Sequence, residues 1–359
     1  MKIWAWIIPI VLALSIWSVG GILGAATQAP SPVPPSPQQA PGHGDQPQYS
    51  SFGQQAASIQ ALTSIGSDLL YAGSFGLGLF RSEDRGINWA KSGQGVTDPF
   101  ILTLTTGKDG AIYAGTFRGG VFRSRDQGKS WQAINNGLKR LEIKALLAVS
   151  DGVYAGTSDG VYRLAADRWS VVTTGLDDIL VHALALSSDG TLFAGTSGKG
   201  ILRFKAQSTG WVRQQHGLKD HEGMTENFIR VLTIDPEGGI YAGTFDGGVF
   251  SSADGGTTWR PISRALPNDS IRGILFNSRG LFVATGHGIF KTTDKGRQWL
   301  PLNNGLTSMA IQVLIESGAG VLYAGTSDGA FRSDDDGRTW NPINQGLEGG
   351  QAPAPFNFR

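Results

Sequence analysis

The chain has 359 residues, enough for one large domain or two ordinary ones, and 40% are hydrophobic, enough for a core. A formal charge of +1 removes the electrostatic case for nucleic acid or an acidic membrane surface, so no nucleic-acid partner is expected. The absence of cysteine removes disulfides, a thiolate nucleophile and cysteine-ligated metals.

The first predicted element is apolar. After Lys2, residues 3–29 carry no charge. A secretory signal core covers about 7–15 residues and a spanning helix needs about 20, so this run is long enough to span. It reads as a hydrophobic helix over residues 1–28 that anchors the chain in a membrane, with Lys2 inside and the remainder exported. Gly24, Ala25 and Ala26 leave a cleaved signal peptide open. Residues 29–57 follow as a linker. The stretch PSPVPPSPQQAPGHGDQPQ at 30–48 prevents helix and sheet ladders and reads as a polyproline spacer.

From residue 58 the chain repeats itself. YAGTFRGGVFRSRDQGKSW at 113–131 returns as YAGTFDGGVFSSADGGTTW at 241–259 and as YAGTSDGAFRSDDDGRTW at 323–340. The leading aromatic recurs at Tyr71, Tyr113, Tyr154, Phe193, Tyr241, Phe282 and Tyr323. The closing tryptophan recurs at Trp89, Trp131, Trp169, Trp211, Trp259, Trp299 and Trp340. The period is about 42 residues, and every tryptophan outside the N-terminal run belongs to the repeat. Each unit predicts four short strands: an apolar run such as IRVLTID, IRGILFN, IQVLIES or KALLAVS, then YAGT, then GVFRS, then a strand beginning at the tryptophan. A Gly-Leu turn follows several copies, as at Gly137-Leu138, Gly305-Leu306 and Gly346-Leu347. The 52 glycines suit such tight turns. Seven four-stranded units predict an all-β, seven-bladed propeller over residues 58–347, with a tail at 348–359. A linear β-solenoid usually has shorter repeats.

Between the third and fourth strands stands Ser/Thr-x-Asp-x-Gly-x-x-Trp. Intact copies are Ser82, Asp84, Gly86, Trp89; Ser124, Asp126, Gly128, Trp131; and Ser252, Asp254, Gly256, Trp259. Two more are Thr292, Asp294, Gly296, Trp299 and Ser333, Asp335, Gly337, Trp340. The third and fourth units, LAADRW and AQSTGW, keep only the tryptophan. The pattern resembles the Asp-box, or BNR repeat, of sialidases, sortilin and related propellers. Its Ser and Asp oxygens can bond nearby backbone N–H groups and hold a hairpin, while the indole packs between sheets. The run Ser333-Asp334-Asp335-Asp336-Gly337 lacks the spacing and terminal Glu of a calcium EF-hand, and no metal or other cofactor is expected. No strand is exchanged between first and last units, so the ring is expected to close by side-chain packing or with help from the tail.

The units also resemble the propellers of the photosystem II stability/assembly factor family, through runs such as Arg123–Trp131 and Arg332–Trp340. That resemblance implies binding and assembly rather than catalysis. The Arg-Ile-Pro motif that precedes the first sialidase box is missing, and sialidase propellers have six blades. Three features are binding candidates. A basic residue follows the third-strand aromatic in six units (Arg81, Arg123, Arg163, Arg203, Lys291, Arg332), with Ser251 the exception. Such a ring can dock an acidic partner or pair with the acids of its own or the adjoining box. The turn after YAGT carries Phe75, Phe117 with Arg118, and Phe245, on the face where propellers usually bind ligands; these rings are hot-spot candidates or pack on the next blade. The longest insertion, HGLKDHEGMTENF at 216–228, offers His216, Lys219, His221 and Glu222 for recognition, at spacings that fit no metal motif. The expected function is an exported, membrane-tethered binding or assembly module for an extracytoplasmic protein or glycan. The alternative is a glycan-acting hydrolase on the same scaffold. Carboxylates with arginines in the central funnel would favour the enzyme, and a flat apolar or basic rim the binding module.

Overall fold

In the computed structural model the described residues are 56–206, 208–214, 216–218, 228–267 and 270–348. The expected N-terminal helix, nearly all of the expected linker, the centre of the insertion and nearly all of the expected tail lie outside them. Among the described residues no helix is long and apolar enough to cross a membrane.

Each sequence unit folds into one antiparallel sheet of four strands, and there are seven such sheets. In blade 1 the strands are Ile59–Ile65, Leu69–Ser74, Leu79–Ser82 and Ala90–Lys91, paired in sequence order. The first strands of blades 2 to 7 are Ile101–Thr106, Ala145–Val149, Val181–Leu186, Ile229–Ile234, Ile271–Asn277 and Ile311–Glu316. They touch one another in a closed circle, with blade 1 against both blade 2 and blade 7. The first strands therefore form the inner ring of the propeller. Fourth strands are shorter than the sequence suggests, two residues in five blades, because the chain soon peels away to bond the third strand irregularly, as Ile134 N does to Val121 O at 2.9 Å.

The repeated phrases can be read bond by bond. The YAGT strands are almost wholly buried. Their threonine closes the next hairpin, as Thr116 Oγ1 donates to Gly120 O at 3.0 Å. Their glycine admits the neighbouring blade: a Cβ on Gly243 would lie 2.4 Å from the Ile271 side chain. The Gly-Leu turns are likewise contacts between blades. Asn136 O accepts the Trp169 N–H at 2.8 Å, and a Cβ on Gly137 would meet Trp169 O at 2.0 Å. Only glycine fits there, both for that approach and for a φ of +95°.

The indoles stand at the seams. Trp89 Nε1 donates to Ile343 O at 2.8 Å, Trp340 Nε1 to Leu302 O at 2.9 Å and Trp299 Nε1 to Ile262 O at 3.1 Å, each on the preceding blade. Trp131 and Trp169 make the same bond to Ser92 and Ile134. Five of the seven rings are buried; Trp211 and Trp299 are only partly so. Trp211 Nε1 has no partner, and Trp259 Nε1 turns to its own Gly256 O at 3.0 Å. Blade 4 is thus the irregular member. Seven apolar clusters result, one at each junction between blades.

Closure between blades 7 and 1 uses these same bonds. Trp89 N donates to Gln345 O at 2.9 Å, and a Cβ on Gly325 would meet the Ile59 side chain at 2.7 Å. Backbone pairing adds to it: Ala57 N donates to Leu347 O at 3.3 Å, and Ala56 bridges Glu348.

Candidate binding face

Strand direction assigns each loop to a face. First strands begin, and second strands end, at one face, called the mouth here; the Asp-boxes, between third and fourth strands, lie at the other. The boxes are self-contained. In blade 2, Ser124 Oγ donates to Asp126 Oδ1 at 2.8 Å and accepts Gly128 N–H at 2.7 Å. Asp126 also accepts from Ser130 N at 2.9 Å and Ser130 Oγ at 2.6 Å. The Ser130 hydroxyl, then its backbone N–H, hold the Asp126 carboxyl down to about 2; Thr258 does the same for Asp254. Asp84, Asp294 and Asp335 repeat the Ser/Thr-to-Asp bond. These acids are occupied by their own hairpins. Among the described residues no cluster of acids and histidines could hold a metal ion.

The third-strand cations also lie towards the box face, each opposite its leading aromatic: Arg81 across from Tyr71, Arg123 from Tyr113, Arg332 from Tyr323. Arg81 pairs with Glu83 at 2.6 Å, Arg332 with Asp334 at 2.5 Å and Arg163 with Asp151 at 3.5 Å. Arg123 pairs with Asp167, and Lys291 with Asp336 of the adjoining blade. The structure does not bring them together with the predicted phenylalanines.

Those phenylalanines stand at the mouth. Each turn residue after YAGT donates its N–H to the residue that precedes its blade's first strand: Phe75 to Ser58 O, Phe117 to Phe100 O and Phe245 to Phe228 O, all at 3.0 Å. Phe245 is thereby paired with Phe228 of its own blade, the rings 5.6 Å apart, whereas Phe75 crosses the seam to Phe100 of blade 2 at 4.8 Å. Phe75 is 52% exposed and Phe245 45%. Arg118 lies 5.1 Å from the Phe117 ring, in a turn held by the buried Asp98 carboxylate, which accepts Arg118 and Gly119 N–H.

A further set of mouth residues escaped the sequence reading. The second residue of the first strand sits in a β-bulge in six blades: Gln60, Leu102, His182, Arg230, Arg272 and Gln312. Lys144 holds the equivalent place in blade 3. A bulge re-aims its side chain and recurs beside functional sites. Blades 3 to 6 therefore bring Lys144, His182, Arg230 and Arg272 to the mouth in sequence. Arg230 lies 5.1 Å from the Phe245 ring, Lys144 5.6 Å from Phe117, and His182 4.4 Å from Phe228. Glu142 pairs with Lys144 at 2.9 Å, but no described carboxylate pairs with Arg230 or Arg272. Arg272 Nε and His182 Nε2 are buried without a hydrogen bond. Burial, then Arg272, lowers the Arg230 pKa; burial lowers that of Arg272. Burial, then Lys144 and Arg230, pushes His182 down to about 4. Arg230 and Arg272 are half-buried, and withdrawing a cation from water without a counter-charge is costly. The detectable signal was a polar second residue in an apolar run, as in IRVLTID and IRGILFN.

The insertion contributes one described candidate. His216 is exposed, and its carbonyl accepts Trp259 N–H at 2.8 Å, so His216, Gly217 and Leu218 form the Gly-Leu turn of blade 4. Lys219, His221 and Glu222 lie outside the described residues.

The profile of the BNR-Asp box repeat matches residues 79–92, the third strand and box of blade 1. The chain is an Asp-box repeat propeller. No curated protein matches it by sequence. Among solved structures, the propeller is similar to YCF48 from Cyanidioschyzon merolae, with a TM-score of 0.60, 15% identity and coverage of 77% of this chain and 94% of that one. YCF48 bound to D1 peptide gives a TM-score of 0.62 at 15% identity, over 77% and 92%. The GH74 enzyme of Niastella koreensis gives 0.64 at 13% identity, over 82% and 55%. The extracellular domain of a B. thetaiotaomicron protein assigned as a hybrid two component system, BT3049, gives 0.63 at 16%, over 78% and 40%. The propeller spans less than half the length of that structure. At these identities the likenesses concern the fold alone.

Proposed function

We propose that this propeller is a binding module whose mouth captures an anionic segment of an extracytoplasmic protein, with exposed phenylalanines gripping apolar side chains beside the charge. The carrying observation is the arc Lys144, His182, Arg230 and Arg272, in which two guanidinium groups have no described counter-charge. Glu142, beside Lys144, is ion-paired to it, and Asp98 is bonded within the Arg118 turn, whereas Asp246 is exposed in the Phe245 turn at the same face. The cations without a described counter-charge support binding over hydrolysis, which needs a placed carboxylate pair. The charge-free run at residues 3–29 supports export with a membrane tether, and the extracellular placement of the similar sensor domain agrees with that reading. A propeller of comparable length, YCF48, has been seen with a peptide.

Fluorescence anisotropy with an eight-residue peptide of Asp, Glu and Phe tests the reading against its Asn, Gln and Phe counterpart. The acidic peptide binds more tightly, by at least tenfold, and salt weakens it. Arg230→Ala with Arg272→Ala removes most of that preference. Equal binding of both peptides, or an unchanged double variant that is folded, overturns the proposal. Preferential binding of a neutral oligosaccharide would point to glycan instead.

A further inference from the structure

On the box face, blade 5 differs from the other blades on two neighbouring strands: its third strand lacks the cation, and its fourth strand carries Arg260 opposite Ser251, exposed and outside the cleft lining. Six blades place a cation on the third strand beside the leading aromatic; Lys291 lies 4.9 Å from the Phe282 ring and Arg163 5.9 Å from that of Tyr154. Acids of the first hairpin can supply counter-charge there, as Asp151 does for Arg163 at 3.5 Å. Blade 5 keeps the aromatic, Tyr241, and the acids, Asp235 and Glu237, but sets Ser251 opposite Tyr241. The space left is a cleft of about 650 Å³ between blades 5 and 6, lined in part by Asp235, Glu237, Tyr241, Ser251, Phe276 and Lys295.

We infer that this cleft takes a guanidinium group from a ligand, in the place where the other blades hold their own. Five of the six resident cations are arginines, so the repeat itself supplies the template. The walls suit the group. Tyr241 is braced by Phe276, the rings stacked at 6.0 Å and 16°, and a guanidinium plane stacks well on such a ring. Asp235 is nearly buried and oriented. Its Oδ1 accepts Glu237 N at 2.9 Å and Gly239 N at 2.7 Å, and its Oδ2 accepts the Tyr241 hydroxyl at 3.1 Å. A carboxylate offers about four acceptor sites, so one remains. Glu237 has no ion-pair partner among the described residues and is exposed at the rim. Two native cations face the cleft. Arg279 is held by Glu316 and, at 3.0 Å, by Asp336. Lys295 is exposed and opposes the ligand's charge.

Ligand-observed NMR with the full chain tests this, using N-acetyl-arginine methylamide against the citrulline analogue, its neutral isostere. The arginine compound binds and the citrulline compound does not. Ser251→Arg fills the site from within and weakens binding at least tenfold; Glu237→Gln weakens it severalfold, and Lys295→Gln tightens it. A peptide with one central arginine that binds tighter than the blocked amino acid marks a protein source, and equal affinity a small molecule. Equal binding of citrulline overturns the inference, as does unchanged affinity in Ser251→Arg or, should that variant not fold, in Glu237→Gln.

Discussion

Trp131 and Trp211 occupy the same place in the repeat but not the same environment. Trp131 is 5% exposed and bonds Ser92 O on the preceding blade; Trp211 is partly exposed and its Nε1 has no partner. The preceding turns explain the contrast. A Cβ on Gly95 would strike Trp131 O at 2.2 Å, whereas Gly175, its counterpart ahead of Trp211, has nothing within 4 Å. Trp131→Ala is expected to cost about 3–5 kcal/mol through cavity formation, and Trp211→Ala about 1–2 kcal/mol for the smaller apolar area it hides. The urea midpoints of the two variants check this; equal shifts would contradict it. The sequence showed that seven tryptophans recur, and their placement between sheets was legible from that. Which indoles find a carbonyl was not, because the acceptor belongs to the preceding blade, about 35–39 positions earlier or, for Trp89, at Ile343 near the far end of the repeat.

At the scale of the element, two local patterns carry different messages. The Asp-box is a closed hydrogen-bonded unit, and its spacing alone disclosed it, since every partner lies within about four residues. Its acids make the hairpin sensitive to acid. The Asp126 and Asp254 carboxyls sit at about 2 in the folded protein against 3.8 ordinarily. A depressed folded value contributes stability that is complete above about pH 4 and lost as pH falls through about 2. The melting temperature should therefore drop across that window, and less steeply in Asp126→Asn with Asp254→Asn; parallel curves would contradict the assignment. The first strand behaves otherwise. A period-two reading of IRVLTID gives an apolar strand and nothing more, because the bulge at Arg230 arises from a register shift against the second strand. The phenylalanines of the mouth were legible from their turn. The cations beside them needed the pairing of two strands to be known.

Over the whole molecule, seven units, four strands each and a ring were all inferable from a period of about 42 residues. With no strand shared between first and last blades, closure by side-chain packing or with help from the tail was expected; which contacts supply it was not legible. The structure shows why no shared strand is needed: the junction between blades 7 and 1 repeats the indole-to-carbonyl bond and the isoleucine-on-glycine contact found at other junctions, with backbone pairing of Ala57 to Leu347 added. The proposed binding face follows the same ring. Lys144, Arg230 and Arg272 stand at one face from blades 3, 5 and 6 with the His182 imidazole of blade 4 among them, while the opposite face carries the hairpins that brace the sheets and the cleft between blades 5 and 6.

A ring whose ends meet through an ordinary junction has no privileged starting point. New termini cut at the exposed Gly190 turn, with the old ones joined through a Gly/Ser tether, should yield a circularly permuted chain with an unchanged circular dichroism spectrum and a melting temperature within a few degrees of the parent. A permutant that cannot refold would mean that order of synthesis, rather than the junctions themselves, makes the circle.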